Sequence, residues 1–240
     1  MIKNLAKRLT WRLGYDVMAR GSRGRVVLID TLQPLLARVQ TVLDVGANKG
    51  QFRDYLRQEI GYGKCIISFE PNPDDYEVCR CRAEGDAMWE VYPWALGSSE
   101  GELSLNIMQD TVFSSFHAPR ADVVALTGNE VVRKVRVPVR TLDNVIPALG
   151  IDLTATYLKC DTQGFDLEVF RGARQTLNDV VAIQTEVSLL PIYEDTPDFL
   201  SAISELTSLG FAIAALSPVA YDRGAVIEYD CVLLNKRLMS

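Results

Sequence analysis

From Thr41 onward, short apolar runs alternate with longer segments of helical spacing. Thr41–Val45, Cys65–Phe69 and Met88–Tyr92 read as the first three strands. Between them, helices are expected from about Gln51 to Ile60 and from Pro73 to about Glu84. Gly61-Tyr62-Gly63 would stop the first, and Pro73 suits the opening turn of the second. Residues 98–140 break the rhythm. Leu103, Leu105 and Ile107 alternate with polar residues, as do Val135, Val137 and Val139. That predicts an antiparallel hairpin with a long polar connection containing Phe113-Ser-Ser-Phe-His117. The rhythm resumes with a strand at Thr156–Cys160, a helix from about Asp166 to Arg174, and a strand at Val180–Val187. A helix at Pro197–Leu209, ended by Gly210, and strands at Ala212–Leu216 and Asp230–Leu234 complete it. Seven strands interleaved with helices imply an α/β fold, its mostly parallel sheet covered on both faces.

The first forty residues follow a different pattern. Ile2, Leu5, Leu9 and Leu13 recur at helical spacing, and Gly21-Ser-Arg-Gly24 reads as a joint. A second helix is expected over Val26–Val39, with Pro34 interrupting it or opening its latter part. The organisation predicted is a helical extension at 1–40 and a main domain at 41–240 carrying the 98–140 insertion. Residues 1–25 hold seven basic side chains and one acid, although the whole chain has a net charge of −6. Such a helix can pack on the domain or a partner subunit, or lie on an anionic membrane surface. Packing is the preferred reading, because one short helix with few large apolar groups binds lipid weakly. The acidic balance argues against a nucleic-acid partner. No apolar run approaches the roughly 18 residues of a membrane span, and no leader-type apolar core is evident. The five cysteines include no C-x-x-C pair, so free thiols in a reducing cytoplasm are expected.

The candidate chemistry begins where the first strand ends. Asp44 is followed by a turn with Gly46 and Gly50, and the second strand ends in Glu70. Such a turn lets backbone approach a nucleoside-bearing cofactor at a helix N-terminus, with the acid gripping the ribose hydroxyls. A dinucleotide site wants G-x-G-x-x-G, whereas here the spacing is D-x-G-x-x-x-G. A carboxylate at the mouth would repel a pyrophosphate and suits the cationic S-adenosylmethionine (SAM). A nicotinamide-dependent oxidoreductase is therefore disfavoured, and the absence of G-x-S-x-G argues against a serine hydrolase.

This pattern resembles the class I SAM-dependent methyltransferases. Tyr157-Leu-Lys-Cys-Asp-Thr-Gln-Gly-Phe-Asp-Leu-Glu-Val-Phe-Arg-Gly-Ala173 is similar to the hallmark segment of the FkbM-type members. Glu70-Pro-Asn-Pro73, Ala95-Leu96, Ser114-Ser115, Thr141-Leu-Asp143 and Glu186-Val187 fall in that family's order. The resemblance covers roughly residues 41 to 235 and implies a Rossmann-like fold. One position departs: the family commonly has Asp-Val-Glu-Gly where this chain has Asp161-Thr-Gln-Gly164. Gln163 cannot carry charge or take a proton, which removes acid/base work from that position.

The resemblance implies O-methylation of a hydroxyl on a sugar, glycolipid or related secondary metabolite. Asp44, Gly46, Ala47, Asn48 and Gly50 are expected to hold the methionine part of SAM, and Glu70 the ribose. Pro71-Asn72 and Trp94-Ala95 would flank adenine. Asp161 and Glu186 end adjacent strands and are the candidate catalytic pair. They could take the acceptor's proton, coordinate a divalent ion that polarises it, or merely order loops. No metal site is assigned. His117, the only histidine, reads as an exposed side chain. The insertion, with Phe113 and Phe116, and the N-terminal helices would shape the acceptor pocket, and a homo-oligomer is compatible with this reading. The rival class is a non-catalytic adaptor on the same fold, which need not have kept Asp44, Gly46 and Glu70.

Overall fold

A computed structural model describes residues 23–238. Residues 1–22, which hold most of the basic segment 1–25 and the helix for which a membrane or packing role is expected, lie outside the described residues. The elements run α1 (Arg23–Leu36), β1 (Thr41–Val45), α2 (Gln51–Tyr55), β2 (Cys65–Phe69), α3 (Pro73–Ala83), β3 (Trp89–Tyr92), β4 (Ala95–Leu96) and β5 (Gly101–Met108). Then come α4 (Ala121–Thr127), β6 (Val131–Arg140), α5 (Leu142–Leu149), β7 (Thr156–Cys160), α6 (Asp166–Arg171), β8 (Ala182–Ser188), α7 (Phe199–Ser208), β9 (Phe211–Asp222) and β10 (Ala225–Asn235).

Seven strands form the main sheet in the order β3-β2-β1-β7-β8-β10-β9. All neighbouring pairs are parallel except those made by β10, which runs antiparallel to β8 and β9. The fold is the expected mostly parallel α/β sheet. Every residue of β1 and β7 is buried, as strands covered on both faces must be. One face packs Leu43, Phe69, Leu158, Val169, Phe170, Ile183 and Leu206. The other packs Leu28, Leu32 and Leu36 of α1 against Val42, Ile66, Tyr157 and Val232. The described part of the N-terminal extension is thus continuous with the domain core. Leu32 is completely buried. Leu32→Ala should cost about 2–5 kcal/mol through lost burial and a residual cavity. Chemical denaturation checks this, and a loss under about 1 kcal/mol would mean that α1 is dispensable to the fold.

Several boundaries differ from the sequence expectation. α1 runs through Pro34, which removes one N–H from the helix ladder, and ends two residues later at Leu36. The helix after β1 is α-helical only to Tyr55, and Leu56–Ile60 form a wider π-type turn closed by Gly61 at φ 77°. Arg57 there donates to the carbonyls of Tyr62 and Lys64. The insertion is more than a hairpin. β5 and β6 pair as expected, β4 adds a third strand parallel to β6, and the connection contains a 3-10 turn (Thr111–Phe113) and α4. Leu105, Ile107, Val137 and Val139 pack inward, but Leu103 is exposed, because β5 outruns the core at its start. β9 and β10 are much longer than expected and turn at Arg223-Gly224, both at positive φ, as a tight two-residue hairpin loop requires. α1 is fastened to this ribbon: Ser217 Oγ donates to the Gly24 carbonyl, and a Cβ on Gly24 would meet the Pro218 carbonyl oxygen at 2.1 Å.

Among the described residues no helix is long and apolar enough to cross a membrane. All five cysteines are free thiols.

Candidate active site

A cavity of about 850 Å³ opens at the carboxyl ends of β1, β2, β7 and β8. Parallel α/β sheets place ligands there, because the connections diverge at that edge. Of the sequence-predicted residues, Gly46, Ala47, Asn48, Glu70, Pro71, Trp94, Ala95, Asp161 and Glu186 line it. Asp44, Gly50 and Asn72 do not, and each shapes the wall from behind.

The Gly46 turn is held by its own backbone. The N–H groups of Gly46 and Ala47 both donate to the Phe69 carbonyl, at 3.0 and 3.3 Å. Gly46 sits at φ 80°, and a Cβ there would lie 1.9 Å from the Asp161 carbonyl oxygen. Only glycine lets the β1 and β7 turns come this close. Gly50, at φ 84°, has the Trp89 ring where its Cβ would be, at 2.7 Å. Asn48 and Gln163 also adopt positive φ, at 47° and 54°. Backbone strain in non-glycine residues thus falls in both turns that face the cavity.

Glu70 accepts from the N–H of Asn48 at 2.6 Å and of Asn72 at 2.8 Å, one on each oxygen. Burial pushes its carboxyl up to about 8, against the pull of those two N–H groups. Asn72 works locally: it caps α3 by accepting from Asp74 N, and its amide donates to Asp75 at 2.6 Å. Trp94 stacks on Tyr92, with ring centroids 4.8 Å apart, and carries the Arg140 guanidinium 5.7 Å from its own centroid.

Asp44 is fully buried, and its charge is answered inside the protein. Lys159 Nζ lies 3.0 Å from Asp44 Oδ1, and Ser68 Oγ donates to Oδ2 at 3.1 Å. Lys159 also reaches the Gly46 carbonyl at 3.3 Å and Asp161 Oδ2 at 3.4 Å. Burial would lower the ammonium's proton affinity, but Asp44 and Asp161 raise it above the ordinary lysine range. The sequence sets Lys159 on one strand face with Asp161 if the strand stays regular, but offers no pairing with Asp44, although a lysine inside an apolar strand signals a buried partner.

Asp161 and Glu186 do come together, through Gln163. Its Nε2 donates to Asp161 Oδ1 at 2.9 Å and to Glu186 Oε2 at 3.1 Å. Its Oε1 lies 2.9 Å from the Tyr193 hydroxyl, and Ser115 Oγ donates to its backbone carbonyl at 2.7 Å. Gln163 is therefore a positioning residue in a place from which acid/base work was excluded. Burial, then Asp161 and Glu228, push the Glu186 carboxyl well above the ordinary range. His117 is half-buried rather than exposed; it packs on Phe165 and does not line the cavity. Phe116 lines the cavity; Phe113 does not. Among the described residues no group of three or more His, Cys, Asp or Glu is arranged to hold a metal ion.

The site carries a pH signature. Burial raises Glu70 to about 8, Asp230 to about 6, and Glu186 and Glu228 above ordinary values. Between the unfolded and folded values the native state binds more protons, so these groups contribute stability at low pH that is lost as pH rises. His117, lowered by burial, acts in the opposite sense but alone. Asp86, held down to about 2 beside Arg53 and Arg57 although burial opposes this, titrates below that range. Tm should therefore fall from about pH 5 to about pH 8, and Glu186→Gln should flatten the slope. A Tm that rises over this range would contradict the burial of these acids.

Residues 44–213 match the model of the methyltransferase FkbM domain. No curated protein matches the chain. In structure, the chain is similar to a methyltransferase FkbM from Methylobacillus flagellatus KT, with a TM-score of 0.53 at 16% identity over 82% of this chain and 44% of that one. This chain thus spans less than half the length of that protein. It is also similar to the methyltransferase domain of METTL16, with a TM-score of 0.51 at 9% identity over 92% of this chain and 70% of that one. At these identities the likenesses concern the fold. The domain match, by contrast, takes in the strand-one turn, Glu70, the Asp161–Gly164 turn and Glu186 together, and on it the chain belongs to the FkbM methyltransferase domain family.

Proposed function

We propose that this protein is a SAM-dependent O-methyltransferase that acts on a hydroxyl of a sugar, glycolipid or related secondary-metabolite acceptor in the cytoplasm. The observation that carries the reading is one cavity lined by the Gly46–Asn48 turn, Glu70 and Trp94-Ala95 at one end and by Asp161 and Glu186 beyond them. The residues suit SAM. Glu70 spends one lone pair of each oxygen on a backbone N–H, which leaves acceptor capacity for two ribose hydroxyls. Pro71 and Trp94-Ala95 would flank the adenine, and the glycine turn admits backbone contact to the methionine end. Asp44, shut behind the wall with Lys159, would act on that end through the Gly46 turn it braces rather than by direct contact. SAM when bound supplies an electrophilic methyl carbon.

For the acceptor, Asp161 is the base and Glu186 its partner. Lys159 and Gln163 each hold one Asp161 oxygen, which fixes the carboxylate's direction. Asp161 takes the acceptor's hydroxyl proton as the oxygen becomes a nucleophile. Each Asp161 oxygen keeps a lone pair beside its one partner, so the carboxylate can take the proton directly.

Calorimetry should find micromolar SAM binding that is abolished in Glu70→Ala, with no competition from nicotinamide nucleotides. Full affinity in Glu70→Ala would remove Glu70 from the site. Absence of SAM binding by the intact protein would favour the adaptor reading.

A further inference from the structure

We infer that the part of the cavity beneath α1 is the acceptor subsite, and that it takes a hydroxyl-rich ligand face bearing no negative charge, with Asp230 and Tyr55 setting that preference. The inference rests on the methyltransferase reading and adds which walls the acceptor touches.

The cavity has two unlike ends. Toward Glu70 and Trp94 its roof is the insertion: Thr111, Val112, Ser114 and Phe116 line it, and Thr111 Oγ1 accepts from the Asn48 amide at 3.1 Å. The insertion thus covers the Asn48 turn and also reaches the Gln163 turn, where Ser115 Oγ donates to the Gln163 carbonyl. Toward β8, β10 and β9 the roof is α1 and α2, through Arg25, Leu28, Phe52 and Tyr55. The floor there is polar. Strand alternation and register bring Lys159, Gln184, Glu186, Asp230 and Ser217 to the face under these helices. A carboxylate and amide floor beneath the apolar and aromatic groups of Leu28, Phe52 and Tyr55, with Arg25 paired to Glu59, is the chemistry that a sugar ring meets with its hydroxyls and its C–H face.

The hydrogen-bond inventory says what the ligand must bring. The floor's donors are committed except for one Gln184 amide hydrogen. Gln184 Nε2 donates to Asp230 Oδ1 at 2.9 Å, and Gln184 Oε1 is satisfied by Tyr157 at 2.8 Å. Lys159 serves Asp44, Gly46 and Asp161. Both Gln163 amide hydrogens are used. What remains is mainly acceptor capacity: Asp230 Oδ2 and Glu186 Oε1 receive no hydrogen bond from the described residues. The Tyr55 hydroxyl is buried and has no partner there either. An unpaired buried hydroxyl is costly, so it marks a place where a ligand atom completes the structure. A ligand rich in donors satisfies all three positions. A carboxylated or phosphorylated one would face Asp161, Glu186 and Asp230 with no free cation on the floor and with the roof's Arg25 already paired to Glu59.

The test uses the intact protein and three probes: a neutral methyl pyranoside, the corresponding methyl uronide, and SAM. Saturation-transfer NMR at millimolar sugar should give a signal from the neutral glycoside and none from the uronide. Tyr55→Phe should weaken the neutral signal on the order of fivefold, as expected for one lost hydrogen bond, while Tm holds or rises because an unpaired buried hydroxyl is gone. Asp230→Asn should narrow the gap between neutral and uronide probes, a change that mere destabilisation would not produce. Calorimetric SAM affinity should stay within about twofold of the parent in both variants. No signal from the neutral glycoside, equal signals from both sugars in the parent, or unchanged signals in both variants would overturn the subsite. Sugar binding without any SAM binding would instead sink the methyltransferase reading and leave the subsite standing.

Discussion

Asp161→Asn is expected to lower turnover by about 10²–10⁴-fold, the usual contribution of a positioned base. The amide keeps the side chain's size and removes its charge and basicity. Asp161 N still donates to the Val45 carbonyl at 3.0 Å, so the strand end should keep its place. SAM affinity should change little, since the Gly46 turn and Glu70 are untouched; the loss should appear in kcat. Single-turnover kinetics with a chemically rate-limiting acceptor are the measurement. Near-normal turnover would mean that alignment alone drives transfer and that Asp161 has no basic role. Chelation separates the remaining alternative: activity lost to a chelator and restored by a divalent ion would assign Asp161 and Glu186 to a metal, whereas indifference supports direct proton transfer. Gln163→Glu, which restores the family's acidic residue, tests the positioning role. A third carboxylate between Asp161 and Glu186 cannot donate to both when ionised. The pH–rate profile should shift upward and not merely drop in height.

The largest loss of stability should follow Lys159→Met. Asp44 is 0% exposed and Lys159 only 5%, and Lys159 is the one cation that reaches Asp44 among the described residues. Breaking a buried pair from one side leaves an uncompensated buried charge and costs about 3–5 kcal/mol. For a domain of this size that corresponds to a fall in Tm on the order of 10 °C. The double variant Asp44→Leu/Lys159→Met should recover much of the loss, because removing both charges also removes the desolvation cost. Non-additivity on this scale in denaturant melts is the expected outcome. Additive losses, or a single-variant loss below about 1 kcal/mol, would mean that water reaches Asp44 and that the pair braces nothing.

The main sheet was legible because its strands carry their environment in their composition. Thr41–Val45, Cys65–Phe69 and Thr156–Cys160 are bounded in the structure as the sequence bounded them, since continuous apolar runs between turn residues have few other ways to be buried. Pro73 likewise marks a helix start by local chemistry alone, whereas the capping role of Asn72 came from the structure. The elements misjudged are those whose limits depend on distant partners. β9 and β10 extend past the apolar stretch because each satisfies the other's backbone and α1 covers part of the ribbon. β4, two residues long, exists only because Val139 and Arg140 of β6 lie beside it.

The same division runs through the site. The sequence by itself determined one end of the cavity: a glycine turn after a buried strand and an acid at the next strand's end are local signals, and Gly46, Glu70 and Trp94 line it together. It also paired Asp161 with Glu186, since both end central strands. Only the tertiary structure decided that Asp44 is walled in by a lysine 115 positions away, that Gln163 ties the two carboxylates, and that Tyr55, Gln184 and Asp230 face one chamber. The reason is physical. A turn's conformation depends on a few consecutive residues, whereas a buried charge or a hydrogen-bond inventory depends on which strands become neighbours, and neighbour order is settled by packing the whole sheet.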